Sequence, residues 1–148
     1  MSKENFEPKN PDFVSTVRES FARQGLLRHL GAELVSVLPG EVTIELPVSD
    51  DVSQQHGFVH AGAMTAIVDS ACGYAALTLM PPGTDVLTIE YKVNFIAPAQ
   101  GIKLIAIGLV MKPGRTVTVC RGDVFMVDND STQQICATML ATMIARHT

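Results

Sequence analysis

The chain has 148 residues, 47% of them hydrophobic and 18% charged, with a formal charge of −4, no tryptophan and a mean hydropathy of +0.23. That length supports one domain with one core rather than two, and an acidic balance without a basic patch excludes a nucleic-acid binder. So few charges imply that part of the exterior is covered by another subunit.

Residues 1–10 read as a flexible, solvated tail, and residues 11–148 as one domain. The opening MSKENFEPKNPDF lacks the apolar core of a signal peptide. The scattered Cys72, Cys120 and Cys136 read as reduced thiols, so a cytoplasmic protein is expected. From about Pro11 to Arg23, Phe13, Val14, Val17 and Phe21 recur at helical spacing with charges opposite. Gly25 is the expected stop, with GLLRHLGA leading into the body of the domain. Glu33 to Leu38 and Glu41 to Val48 alternate as strands across a Pro39-Gly40 turn and predict a hairpin. A polar loop over 49–59 follows.

The stretch His56 to Met80 (HGFVHAGAMTAIVDSACGYAALTLM) begins with a glycine-bearing turn and continues as an apolar helix. It is nearly long enough to cross a bilayer, at about 28 Å over residues 61–80. Its Ala, Gly, Ser and Thr content, its central Asp69 and its lack of flanking Lys or Arg point instead to a helix buried in a soluble domain, so no membrane is expected. Pro81-Pro82-Gly83 breaks it. Three β-rich runs follow: Asp85 to Ala99, Ile102 to Lys112 and, after a Lys112–Arg115 turn, Thr116 to Val127. A polar turn at 128–131 leads to QQICATMLATMIARH, which suits strand or helix by composition and is read as strand from its place in a meander. Runs of strands with segregated helices predict an α+β domain.

On a 3.6-residue period one face of the central helix reads Gly62, Thr65/Ala66, Asp69, Cys72/Gly73, Ala76, small throughout. Another reads Met64, Ile67/Val68, Ala71, Tyr74/Ala75, Thr78. The bulky face is expected against a concave sheet, and the small face, with Asp69 at its middle, against a crevice. A carboxylate in an apolar run is costly unless paired or used. From the residues alone, Asp69 serves equally as a structural carboxylate or a working acid. Ala61 and Gly62 fall in the first helical turn, where N–H groups lack intrahelical partners and the dipole favours an oxyanion. A base and an oxyanion pocket on one element suit hydrolysis of an activated acyl group.

The run Gln54-Gln55-His56-Gly57-Phe58-Val59-His60-Ala61-Gly62, with Asp69 nine residues after His60, resembles the signature of hot-dog-fold acyl-CoA thioesterases of the phenylacetic acid degradation (PaaI) type. The Leu87–Glu90 strand, Ala97-Pro98-Ala99 and the Gly114-Arg115 turn also fit. The resemblance implies a long central helix wrapped by a curved antiparallel sheet of five to six strands. It implies that Asp69 is general base or nucleophile, that the N–H of Ala61 or Gly62 polarises the thioester carbonyl, and that Gln54 helps hold that carbonyl. Thr88 would orient the attacking water, and His60 would organise the turn. It further implies an acyl-CoA substrate, a homodimer with shared active sites, a dimer of dimers, and CoA phosphate contacts from Lys112 and Arg115. Ala61 replaces the family's first glycine after His, and Gln54 its asparagine.

Other chemistries find less support. His56 and His60 have a zinc-helix spacing, but Gly57 lies between them and no third ligand is evident, so no metal is expected. No dinucleotide fingerprint, phosphate loop or nucleophile elbow is present, so no cofactor is expected either. Cys72 reads as inert packing. The rivals are a non-catalytic acyl-CoA sensor, which would lack the acid, and a hot-dog hydratase or dehydratase, which would need a catalytic histidine. Phe58, Tyr74, Met80 and Phe95 are candidates for the acyl pocket.

Overall fold

A computed structural model describes residues 4–148. The elements in order are α1 (Phe13–Arg23), α2 (Gly25–Leu30), β1 (Glu33–Leu38), β2 (Glu41–Pro47), a 3-10 turn (Asp50–Val52), α3 (Ala61–Leu77), β3 (Thr84–Phe95), β4 (Lys103–Lys112), β5 (Val117–Val127) and β6 (Gln133–His147). The six strands form one antiparallel sheet in the order β1-β2-β4-β5-β6-β3. The expected α+β architecture is therefore present, with α3 lying along the sheet. The last run is a strand, as its place in the meander implies. No helix among the described residues is long and apolar enough to cross a membrane.

What lets α3 sit so close is a pair of glycines. Gly108 on β4 and Gly122 on β5 are direct cross-strand partners. A Cβ on Gly108 would stand 2.3 Å from the Ala71 backbone carbon, and one on Gly122 2.4 Å from Val68 Cγ2. Together they form a notch that takes the helix backbone. Around it Val42, Ile44, Leu46, Ile67, Leu104 and Val124 are fully buried.

Three expectations change. Gly25 does not end the helical region: it begins α2, a second short helix, and the break falls at the extended Gln24. Gly31, at φ +83, then ends α2 in the left-handed conformation that glycine adopts without steric cost. Secondly, the small face of α3 does not line a crevice along its length. Cys72 and Ala76 are buried, and Cys72 Sγ lies 2.8 Å from where a Gly122 Cβ would be, on the sheet side. The open stripe is narrower: Gly62, Thr65, Ala66, Asp69 and Ser70. Thirdly, not all of the expected solvated tail is solvated. Residues 1–3 lie outside the described residues, but Phe6 rests where a Cβ of Gly40 would be, and Asn10 is 7% exposed, bonded to Thr16 Oγ1 at 3.0 Å.

Candidate active site

Asp69 stands in the middle of α3, on the stripe that turns away from the sheet notch and toward α1. Its Oδ1 accepts a hydrogen bond from Thr88 Oγ1 on β3 at 2.8 Å. Burial raises the carboxyl above its ordinary value of 3.8, and the Thr88 bond pulls it partly back. Burial is the larger influence. The result is a carboxylate more basic than one in water, with Oδ1 held and Oδ2 without a hydrogen-bond partner among the described residues.

Asp69 and Thr88 lie at one end of a cleft of about 590 Å³ enclosed by α1, α3 and the start of β3. Its wall on the α1 side is polar. Gln24 Nε2 donates to Tyr74 Oη at 3.1 Å, Ser20 Oγ lies 3.3 Å from the same hydroxyl, and Ser70 Oγ donates to Gln24 Oε1 at 3.2 Å. This network ties the C-terminal end of α1 to α3. The Phe21 and Tyr74 rings, 6.1 Å apart, add an apolar contact beside it. Only Tyr74 of the four aromatic or methionine candidates lines this cleft. Met80 lines a second cavity, and Phe58 and Phe95 line neither. Sequence reading missed Ser20, Gln24 and Ser70. The signal available was two polar residues four apart at the end of an otherwise amphipathic helix.

The start of α3 is a second cluster. His60 is its N-cap: Nδ1 accepts the Gly62 N–H at 2.7 Å, and its carbonyl accepts the Ala63 N–H at 3.0 Å. A side chain on Gly62 would meet the imidazole at 3.0 Å, so glycine suits this cap. The Gly62 donor is consequently occupied, whereas the Ala61 N–H has no partner among the described residues. The preceding loop is tightly pinned. Gln54 N–H donates to Phe58 O at 2.8 Å, Gly57 N–H returns to Gln54 O at 3.1 Å, and His60 N–H reaches Val52 O at 2.9 Å. Gln54 Oε1 accepts the His56 N–H, and its Nε2 has no acceptor among the described residues.

The two clusters are not one site within one chain. Ala61 and Asp69 are eight residues apart on a straight helix, roughly 12 Å along its axis. None of Gln54, His60, Ala61 and Gly62 lines the Asp69 cleft. A single carbonyl cannot reach both, so the expectation of base and oxyanion donor facing one crevice along the same helix does not hold for a lone subunit. Lys112 ends β4 and Arg115 lies in the following turn, both exposed and without an ion pair among the described residues. Arg115 lines the second cavity, of about 210 Å³, near the other end of α3 with Leu79 and Met80. Among the described residues no three His, Cys, Asp or Glu side chains are grouped as metal ligands.

Comparison with known proteins gives a consistent family. Residues 56–132 match the family model described as the thioesterase superfamily. A thioesterase family protein from Silicibacter pomeroyi is 43% identical, with a TM-score of 0.89 over 92% of this chain and 99% of that one. The PaaI protein of the phenylacetic acid degradation operon of E. coli shares the fold at 16% identity, with a TM-score of 0.80 over 93% of this chain and 96% of that one. A 1,4-dihydroxy-2-naphthoyl-CoA hydrolase of Listeria monocytogenes is 27% identical over 95 residues, 64% of this chain and 77% of that one.

Proposed function

The chain belongs to the thioesterase superfamily, and we propose that it hydrolyses an acyl-CoA thioester to the free carboxylic acid and CoA. The observation that carries this mechanism is Asp69, a burial-raised carboxylate with one oxygen fixed by Thr88 at the end of a cleft. Its free oxygen takes a proton from a water, whose oxygen attacks the thioester carbon. Carbonyl oxygen becomes oxyanion, and the Ala61 N–H at the positive end of α3 stabilises it, with Gln54 Nε2 beside it. Collapse of the tetrahedral species expels the CoA thiolate. Thr88 holds the base in register, and His60 fixes the backbone that aims Ala61. Gly62 contributes by admitting that cap rather than by donating its own N–H.

Because the two clusters are separated, the base of one subunit works with the amides of another. A free edge supports such a dimer. Among the described residues β3 pairs only with β6, so its other edge is open, and the strand exposes Leu87, Ile89, Tyr91 and Phe95 alongside Asp85, Glu90, Lys92 and Asn94. A long open edge carrying exposed apolar side chains pairs readily with another strand. Two copies joined through β3 would continue the sheet. Exposed Ile102 just before β4, Met111 on β4 and Leu140 on β6 support a further pairing of dimers. Lys112 and Arg115, without an ion pair among the described residues, take the CoA phosphates, and no cofactor takes part. Three free, buried cysteines suit a cytoplasmic setting.

A sensor on the same fold has no need of a basic carboxylate in its cleft. A hydratase needs a mobile proton on histidine, whereas Nδ1 of His60 is engaged as a helix cap. The test is thiol release from a panel of straight-chain and aryl CoA esters beside Asp69→Asn. The variant is expected to lose turnover by about a thousandfold, within the range assigned to a positioned base, with the oligomer intact by light scattering. Equal turnover would remove Asp69 from the mechanism, and no release from any ester would favour the sensor.

A further inference from the structure

The cleft beside Asp69 is elongated, and its two long walls advance in step. On α3 the wall is Asp69, Gly73 and Leu77, four residues apart; on β3 it is Thr88, Val86 and Thr84, two apart. The Thr88 hydroxyl meets Asp69, and Val86 lies 3.9 Å from where a Gly73 Cβ would be, which sets Thr84 at the level of Leu77. The span from the first rung to the third is roughly 12 Å along the helix and 13 Å along the strand. The middle is thin and apolar, lined by Val86 and the bare backbone of Gly73.

The far end has one open valence. Thr84 is 6% exposed, and its Oγ1 has no hydrogen-bond partner among the described residues. A buried hydroxyl in that condition is a cost to the fold which a ligand group can remove. The other polar groups of the inner wall, Ser20, Gln24, Ser70 and Tyr74, already satisfy one another. Near the far end Asp85 stands opposite Arg146 in the β3–β6 register, with Glu19 on the α1 wall; Arg23, next to the Gln24 that bonds Ser70, belongs to the Asp69 end. An acid in excess there disfavours an anionic group, and the unpartnered Thr84 Oγ1 offers a neutral hydroxyl a partner.

Resting on the thioesterase reading above, we propose that the cleft is an acyl channel and Thr84 its far-end recognition residue. Its substrate is an extended acyl chain carrying a hydroxyl remote from the thioester. The chain lies along Gly73 and Val86 with its carbonyl at Asp69, and the hydroxyl meets Thr84 Oγ1.

The test uses the full-length protein and three CoA esters of about ten carbons, the extended length that spans the cleft: unsubstituted, ω-hydroxy and ω-carboxy. The ω-hydroxy ester is expected to have the highest kcat/KM, about tenfold above the unsubstituted ester, as one added hydrogen bond allows. In Thr84→Val, which keeps the shape, the ratio should fall to about one; in Thr84→Ser it should persist. Equal rates for the three esters, preference for the carboxylate, or an unchanged ratio in Thr84→Val would overturn this proposal and leave the thioesterase reading standing. Release from none of these esters, with release from other CoA esters, would also overturn it. Release from no CoA ester at all would sink both.

Discussion

Toward the sheet, α3 presents Val68, Ala71 and Cys72 to a notch made by two glycines; toward α1 it presents Asp69, Ser70 and Gly73 to a cleft of about 590 Å³. The first side is dry and close-packed, with backbone against backbone. The second is hollow and lined with hydroxyls and charged groups, Asp69 among them. The contrast teaches how a sparse site can be held still. A carboxylate beside a cavity has little to position it except one threonine, so its place is fixed from behind, by a helix that cannot roll or slide in its notch. The catalytic geometry proposed at Asp69 thus depends on residues that never approach the substrate.

The most severe way to break this contrast is to fill the notch. In Gly108→Val the new Cβ would stand 2.3 and 2.4 Å from the Ala71 carbonyl carbon and oxygen, so helix backbone, not a side-chain tip, must move. A loss of about 3 kcal/mol or more is expected, at the upper end for overpacking. Urea unfolding monitored by circular dichroism measures it. A loss below 1 kcal/mol would mean that α3 shifts freely, and the argument for a helix fixed from behind would fail.

The two sides were unequally legible in the sequence. The strands announced themselves by alternation, and α3 by its length without breakers. Asp69 stood out because a charge in an apolar run has to be explained. The notch was silent: Gly108 and Gly122 lie inside strand-like runs, and their meaning depends on a cross-strand register and a helix that local pattern does not encode. The helical period also misled, since it grouped Cys72 and Ala76 with Asp69 on the small face, whereas both are buried. α2 was hidden because Gly25 reads as a stop, while the real break is Gln24, drawn out by bonds to residues 46 and 50 positions away. The separation of Ala61 from Asp69 was calculable from the sequence, since eight helical residues span roughly 12 Å.

A milder change sharpens the role of the hollow side. Thr88→Val removes the one hydrogen bond to Asp69 and leaves strand and cleft in place. Turnover is expected to fall about tenfold, as for one charge-assisted bond that orients a reacting group. That bond lowers the carboxyl, so without it the acid limb of the kcat/KM profile moves to higher pH. A fall in turnover with the limb unmoved would mean that Thr88 acts on water or substrate instead of on the base.

The smallest effect is on stability and has the opposite sign from the effect on activity. Asp69 holds its proton more tightly in the folded chain than at its ordinary 3.8, because burial disfavours the charge more than Thr88 favours it. Between the unfolded and folded values the native state binds more protons, so stability falls as pH rises through that interval, and the cost is fully present above it. Asp69→Asn removes the charge and keeps an oxygen to accept from Thr88. The variant that loses turnover is therefore expected to melt at a slightly higher temperature at pH 7, by a degree or two on the scale for a domain of this size. The difference should shrink as pH falls through that interval and vanish below about pH 3, where the carboxyl is protonated in both states. Thermal melts of the two proteins across that range decide it. A variant less stable at pH 7 would show that the charge on Asp69 is welcomed by its surroundings, as a structural ion pair would be, and the cleft would lose its base.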